Sequence, residues 1–88
     1  MFLHLGNNIL VNSKDIIGIF DLDNVTVTKT SREYLNKAEK QGEIEYVTYE
    51  LPKSFILTTK QNKNKIYISQ LSVSTLNKRI ENYLKSKE

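Results

Sequence analysis

The fold of this chain is decided by residues 52–71, Pro52-Lys-Ser-Phe-Ile-Leu-Thr-Thr-Lys-Gln-Asn-Lys-Asn-Lys-Ile-Tyr-Ile-Ser-Gln-Leu71. Two runs rich in β-branched and aromatic residues, 54–59 and 65–69, flank a polar loop of lysine and asparagine. This pattern predicts an antiparallel hairpin. Side chains alternate between the two faces of a strand, so Phe55 and Leu57 should lie on one face and Ile56 on the other. Both faces of the hairpin are therefore partly apolar and need to be covered.

The rest of the chain predicts a single domain over residues 1–88, since 88 residues leave no room for a second core. Short strands are expected at 2–5, 9–11, 16–20 and 44–49. The capping box Thr30–Glu33 should start a helix that Gly42 ends, and Ser72 or Ser74 should cap a second helix that runs to about residue 85. The fold class is α+β: a small, mainly antiparallel sheet of about six short strands with two short helices.

Two features of this pattern concern how the sheet is covered. The apolar run Ile16–Phe20 does not alternate with polar residues, which predicts a strand buried on both faces; Gly18 inside it indicates a bulge or a close approach. The helices carry few apolar residues, so they should cover only part of the sheet. We therefore expect the domain to bury its remaining apolar surface by assembling into a homo-oligomer.

Composition excludes several classes of protein. The chain has no cysteine, and therefore no disulfides, thiolate metal sites or cysteine nucleophile. The N-terminus lacks the pattern of a signal peptide, and no apolar stretch approaches the roughly 20 residues needed to cross a bilayer. A cytoplasmic protein without membrane contact is expected.

The residues for common catalytic sites are also missing from the sequence. His4 is the only histidine, no Ser–His–Asp arrangement can be assembled, and the three glycines are isolated rather than forming a phosphate loop. The segment that begins at Asp21 and Asp23 resembles a calcium loop, but Thr26 stands where that loop needs glycine. We expect no enzyme activity, no cofactor, no metal site and no evident small-molecule substrate.

Charge is distributed unevenly along the chain. Residues 1–52 contain five Lys/Arg and eight Asp/Glu, a net charge of −3, whereas residues 53–88 contain eight and two, a net charge of +6. A basic half favours an acidic partner such as nucleic acid, but for each basic group alone a solvated charged surface is the simpler explanation. The candidate DNA contacts, placed within or close to the hairpin and on the final helix, are Lys53, Lys60, Lys63, Lys65 and Arg79.

Several segments resemble the RemA-type regulators of extracellular matrix genes in Gram-positive bacteria, and most closely their RemB-like branch. The matching segments are Phe2-x-His-Leu-Gly6, Lys14-Asp-Ile-Ile-Gly-Ile-Phe20, Pro52-Lys-Ser-Phe-Ile-Leu-Thr58 and Tyr67-x-Ser-x-Leu-Ser-x-x-Thr-Leu-x-Lys-Arg79. They extend over nearly the whole chain, and their order and spacing carry the resemblance.

The resemblance implies a transcription regulator of matrix and biofilm genes that binds double-stranded DNA as a ring-like homo-oligomer. The sequence departs from the RemA branch at three positions: Glu50 and Leu51 stand where that branch has adjacent arginines, and Asp15 stands where RemA-type proteins tend to have an arginine. An acidic residue would repel phosphates. The alternative is therefore an interaction or assembly module of the same fold that has lost DNA binding.

Overall fold

The computed structural model of the protein describes residues 1–22 and 29–86. The calcium-loop pattern, which includes Asp23, falls largely outside these residues. In chain order the elements are β1 (Phe2–His4), β2 (Leu10–Asn12), a 3₁₀ turn (Ser13–Asp15), β3 (Ile16–Asp21), α1 (Lys29–Lys40), β4 (Ile44–Tyr46), β5 (Ser54–Lys60), β6 (Lys63–Ser69) and α2 (Val73–Ser86).

The α+β class and the six strands with two helices are confirmed for the described residues, but the expectation of one sheet is wrong. The strands form a two-stranded sheet, β1–β2, and a four-stranded sheet in the order β3–β5–β6–β4. Within the second sheet, β4 runs parallel to β6 and the other pairs are antiparallel. The β1–β2 pair packs over the hairpin because Leu3 and Val11 belong to the same buried cluster as Ile56.

The β5–β6 hairpin forms with the predicted alternation of side chains, but its loop is shorter than expected. Phe55 lies opposite Ile68 and Ile56 opposite Tyr67. Gln61 and Asn62 alone form the turn, and both have positive φ angles, 52° and 63°. Two such residues match the right-handed twist of the strands, so pairing continues to the end of the hairpin. The lysines predicted to lie in a loop, 60 and 63, are therefore strand residues.

Both faces of the hairpin are buried within the chain itself. On one face, Ile56 packs in a cluster with Leu3 and Val11 from the small sheet and Leu76 from α2. On the other face, the cluster includes Ala38 of α1 and, from the hairpin, Phe55, Ile66 and Ile68. The helices cover only part of the hairpin, as expected, but β1–β2 covers the rest, so the hairpin does not need another copy of the chain to bury it. Any support for self-association must come from other surfaces.

Strand β3 is an edge strand, not the doubly buried strand that its composition predicted. It pairs only with β5, and Ile17 is 58% exposed. The prediction for Gly18 is confirmed, since the register shifts between Ile16 and Gly18. A Cβ atom at Gly18 would lie 2.7 Å from Cζ of Phe20, whose ring stacks on Phe55 with centroids 4.8 Å apart. Bulges of this kind limit pairing at an exposed edge.

The helix ends follow the predicted signals in part. Gly42 has φ +72° just after α1, as a left-handed C-cap requires. Ser72, rather than Ser74, caps α2, because its Oγ accepts a hydrogen bond of 3.2 Å from the Thr75 N–H. Thr30 is not an N-cap, since α1 already includes residue 29.

Candidate nucleic-acid interface

The tip of the β5–β6 hairpin presents three lysines on one face. Lys60 lies directly opposite Lys63 on the last rung, and Lys65 lies opposite Thr58 on the rung after next. Residues that oppose one another, or that are two apart along a strand, share a face, so the three side chains lie on the face that carries Ile56 and Tyr67. The structure therefore brings together three of the five predicted DNA contacts.

Lys65 differs from the other two because it has a carboxylate partner. Its Nζ lies 2.7 Å from Oε1 of Glu45 on β4 and 5.1 Å from the centroid of the Tyr67 ring. The hydrogen bond to Glu45 is the main cause that raises the pKa of Lys65 above its usual value, while partial burial opposes it. Its charge is thus partly neutralised, and Lys60 and Lys63 are left as the lysines of this face with no ion pair inside the described part of the chain.

Breaking the Lys65–Glu45 pair should have a small effect on stability. Both side chains are more than a third exposed, and exposed pairs contribute about 0.2–1 kcal/mol. A double-mutant cycle of Lys65→Met and Glu45→Gln in urea unfolding should give a coupling energy in that range, smaller at high salt. Because the folded-state pKa of Lys65 is raised, the coupling should be complete below its ordinary pKa of 10.5 and lost as pH rises through the folded-state value. A coupling energy above about 2 kcal/mol would contradict this.

A cleft of about 460 Å³ lies beside the lysines, between the hairpin tip and the small sheet. We call it the tip cleft. The residues that define it are Phe2, Leu10 and Asn12 on the side of the small sheet and Lys60, Lys63 and Tyr67 on the hairpin. Asp15 and Gln61 also line it. The cleft is therefore basic along the hairpin and largely apolar along β1–β2.

The other two predicted contacts lie elsewhere. Lys53 precedes β5, at the far end of the hairpin; seven strand residues separate it from the tip, or roughly 23 Å. Its backbone N–H donates to the Ser69 carbonyl at 2.9 Å, and its side chain is exposed. Arg79 on α2 donates from Nη1 to the His4 carbonyl at 2.7 Å, so its guanidinium is bonded to β1. The five residues do not form one patch.

Sequence reasoning did not identify the apolar side of the tip cleft. Phe2 and Leu10 are 66% and 56% exposed, on the strand positions that alternate with buried Leu3 and Val11. The alternation in Phe2–Leu5 could have shown that Phe2 points outward from the core. It could not have shown that Phe2 lies near the hairpin tip, because that depends on how the two sheets pack.

A second exposed apolar surface lies in the loop between β4 and β5. Tyr49 is 95% and Leu51 83% exposed, and the Tyr49 ring stacks on Tyr46 with centroids 6.1 Å apart. Burial, and then the nearby carboxylate of Glu39, raises the pKa of the Tyr46 hydroxyl. Residues 49–51 therefore form an acidic and apolar loop, with Glu50 between the two exposed side chains.

No helix within the described residues is long and apolar enough to cross a membrane. Over the same residues, no three His, Cys, Asp or Glu side chains are grouped so that they could hold a metal ion.

Comparison with known proteins agrees with the segments that carry the resemblance. Residues 2–80 match the RemA-like family, described as extracellular matrix regulatory protein A-like, and the chain belongs to this family. Among its relatives, extracellular matrix regulatory protein B of Bacillus subtilis (strain 168) is 40% identical over 81 residues. That alignment covers 92% of this chain and 91% of the relative.

Proposed function

We propose that this protein regulates extracellular matrix genes by binding double-stranded DNA, without enzymatic activity, as a ring-like homo-oligomer in the cytoplasm. The regulatory role follows from membership of the matrix-regulator family and from the similarity to extracellular matrix regulatory protein B. The observation that carries DNA binding is the pair Lys60 and Lys63, which oppose each other at the hairpin tip with no ion-pair partner among the described residues.

Like charges directly opposite each other destabilise a β-sheet, so this pair is unfavourable in the free protein. A phosphate placed between the two ammonium groups would relieve their repulsion. Each lysine that neutralises a phosphate also releases counterions, which makes binding dependent on salt. One tip offers few contacts, but tips repeated around an oligomer would engage many phosphates of one duplex at once.

Exposed apolar residues outside the hairpin support the assembly. Ile17 on the edge strand β3 and Leu51 in the loop before β5 are both largely exposed, and each would be stabilised by burial against another copy. Light scattering at micromolar concentration should give a mass that is a multiple of the 10.2 kDa chain. A monomer mass under these conditions would contradict the ring.

Replacing Lys60 and Lys63 by alanine should weaken duplex binding and reduce its dependence on salt. We expect the slope of log K against log salt concentration to become less steep by about 0.9 for each phosphate that the variant no longer neutralises. The measurement is fluorescence anisotropy with a labelled duplex between about 50 and 200 mM salt, the range over which phosphate contacts change affinity by orders of magnitude. The control is Lys37→Ala with Lys40→Ala, which removes the same charge from exposed positions on α1.

Two results would overturn DNA binding through the tip. One is a double variant of Lys60 and Lys63 that behaves like the α1 control; the other is binding that is undetectable, or insensitive to salt, at low ionic strength. The second result would favour the alternative, a protein-interaction or assembly module. The acidic and apolar loop at Tyr49, Glu50 and Leu51 supports that alternative, because exposed tyrosines are frequent at protein interfaces.

A further inference from the structure

The tip cleft contains two kinds of group that the chain leaves unsatisfied. Lys60 and Lys63 lie on the same face with side chains that repel each other, and Lys65 next to them already pairs with Glu45. Across the cleft, Phe2 and Leu10 expose more than half of their surface to water. An anion would neutralise the two lysines, and an apolar surface of a ligand would cover the two exposed apolar side chains.

A DNA duplex would contact only one side of the cleft. Its phosphates would neutralise the lysines, but its bases are stacked inside the helix, so Phe2 and Leu10 would stay exposed to water. A ligand that carries a planar base attached to a phosphate would contact both sides. Bases stack favourably on aromatic side chains, whatever their sequence.

We propose that the tip cleft binds a nucleotide unit, with its phosphate between Lys60 and Lys63 and its base against Phe2 and Leu10. Its volume of about 460 Å³ lies within the range of sites for small ligands. Two amide side chains line it: Gln61 can offer both donors and an acceptor to the edge of a base, and Asn12 can offer its N–H donors, since its Oδ1 already accepts from the Lys14 N–H at 3.1 Å. The unit is either a free nucleotide or an unpaired nucleotide in a nucleic-acid strand.

The carboxylate of Asp15 limits the charge that the cleft accepts. It lines the same cleft as the two lysines, and a second anionic group of the ligand would be repelled by it. A monophosphate is therefore the expected form of the ligand, and adenosine monophosphate is the probe of choice.

The test compares three probes on the purified full chain by NMR titration: adenosine monophosphate, adenosine and inorganic phosphate. The monophosphate should bind at least tenfold more tightly than either of the others, because only it contacts both sides of the cleft. Phe2→Ser should weaken binding of the monophosphate about 5- to 100-fold and leave the affinity for inorganic phosphate unchanged. Replacing Lys60 and Lys63 by alanine should weaken binding of both the monophosphate and inorganic phosphate. The α1 control, with alanine at Lys37 and Lys40, should leave both affinities unchanged.

A single-stranded oligonucleotide of ten residues distinguishes the two sources of the ligand. If it binds more tightly than adenosine monophosphate and Phe2→Ser weakens it, the cleft takes an unpaired nucleotide of a strand. If only the monophosphate depends on Phe2, the ligand is a free nucleotide. Either result supports the inference. A monophosphate that binds no better than inorganic phosphate, or a Phe2→Ser variant with unchanged affinity for it, overturns the inference.

This inference uses the lysines of the proposed function but can fail separately from it. Duplex binding without binding of the monophosphate would remove the nucleotide site and leave the DNA regulator. Binding of the monophosphate without duplex binding would support the nucleotide site and remove the DNA regulator. Phe2 is exposed, so its replacement by serine should leave the folded structure intact, and the circular dichroism spectrum of the variant checks this.

Discussion

The free energy of unfolding of the Ile56→Ala variant should be about 3 kcal/mol lower than that of the unaltered chain. Ile56 has no exposed surface, and it packs against Leu3, Val11 and Leu76, which come from three different elements. Its truncation leaves a cavity that the surrounding elements cannot easily close, and such losses run from about 2 to 5 kcal/mol. A chain of this size is stabilised by only about 4–13 kcal/mol in total, so the loss is a large fraction of the whole.

Urea unfolding followed by circular dichroism measures this loss, with Leu84→Ala as the matched control. The control removes the same number of carbon atoms from a largely exposed position on α2, and it should change the free energy of unfolding by less than about 1 kcal/mol. Both variants must be compared at one protein concentration, because association would add to the apparent stability. Equal losses in the two variants would contradict the position of the core.

The Ser69→Ala substitution should lower the free energy of unfolding by about 2–3 kcal/mol, although it removes only one oxygen atom. The Ser69 hydroxyl is fully buried; it donates to the Leu5 carbonyl at 2.8 Å and accepts from the Leu71 N–H at 3.0 Å. The substitution leaves the buried Leu5 carbonyl and the partly buried Leu71 N–H without this partner, and a buried polar group left unpaired costs about 1–3 kcal/mol. Since Ser69 ends β6 and Leu5 follows β1, the hydroxyl links the two sheets.

The control for this variant is Ser74→Ala, which removes an exposed hydroxyl in the first turn of α2. Its effect should stay within about 0.5 kcal/mol. Urea unfolding of both variants makes the comparison. The change in side-chain volume is the same in each, so a difference in the free energy of unfolding reports the lost hydrogen bonds. If Ser69→Ala were as mild as Ser74→Ala, the link between the sheets would not contribute to stability.

Much of the local structure could be predicted because its causes are local. The alternation of Phe55 and Ile56, the left-handed cap at Gly42 and the bulge at Gly18 each depend on a few neighbouring residues. The length of the hairpin turn was missed, since Gln61 and Asn62 together do not form one of the usual two-residue turn sequences. The edge position of Ile16–Phe20 was also missed, because an apolar run does not reveal whether a strand lies at the edge of a sheet.

The candidate site was predicted only as a set of residue types. Repeated lysines in residues 60–65 indicated a basic hairpin tip, and the structure places three of them on one face. It also separates Lys53 from the tip, bonds Arg79 to β1 and pairs Lys65 with Glu45. The last two outcomes depend on contacts between residues that are 20 or more positions apart, and no local pattern reports such contacts.

The sequence by itself determined the α+β class, the central hairpin with two apolar faces, the basic second half and the family. These follow from periodicity, composition and the order of segments along the chain. Tertiary structure alone decided that β1–β2 forms a separate sheet over Ile56, that β4 runs parallel to β6, and that Phe2 and Leu10 lie beside Lys60 and Lys63. The physical reason is that a strand's side-chain pattern specifies which face is buried, whereas the partner that buries it is chosen by the packing of the whole chain.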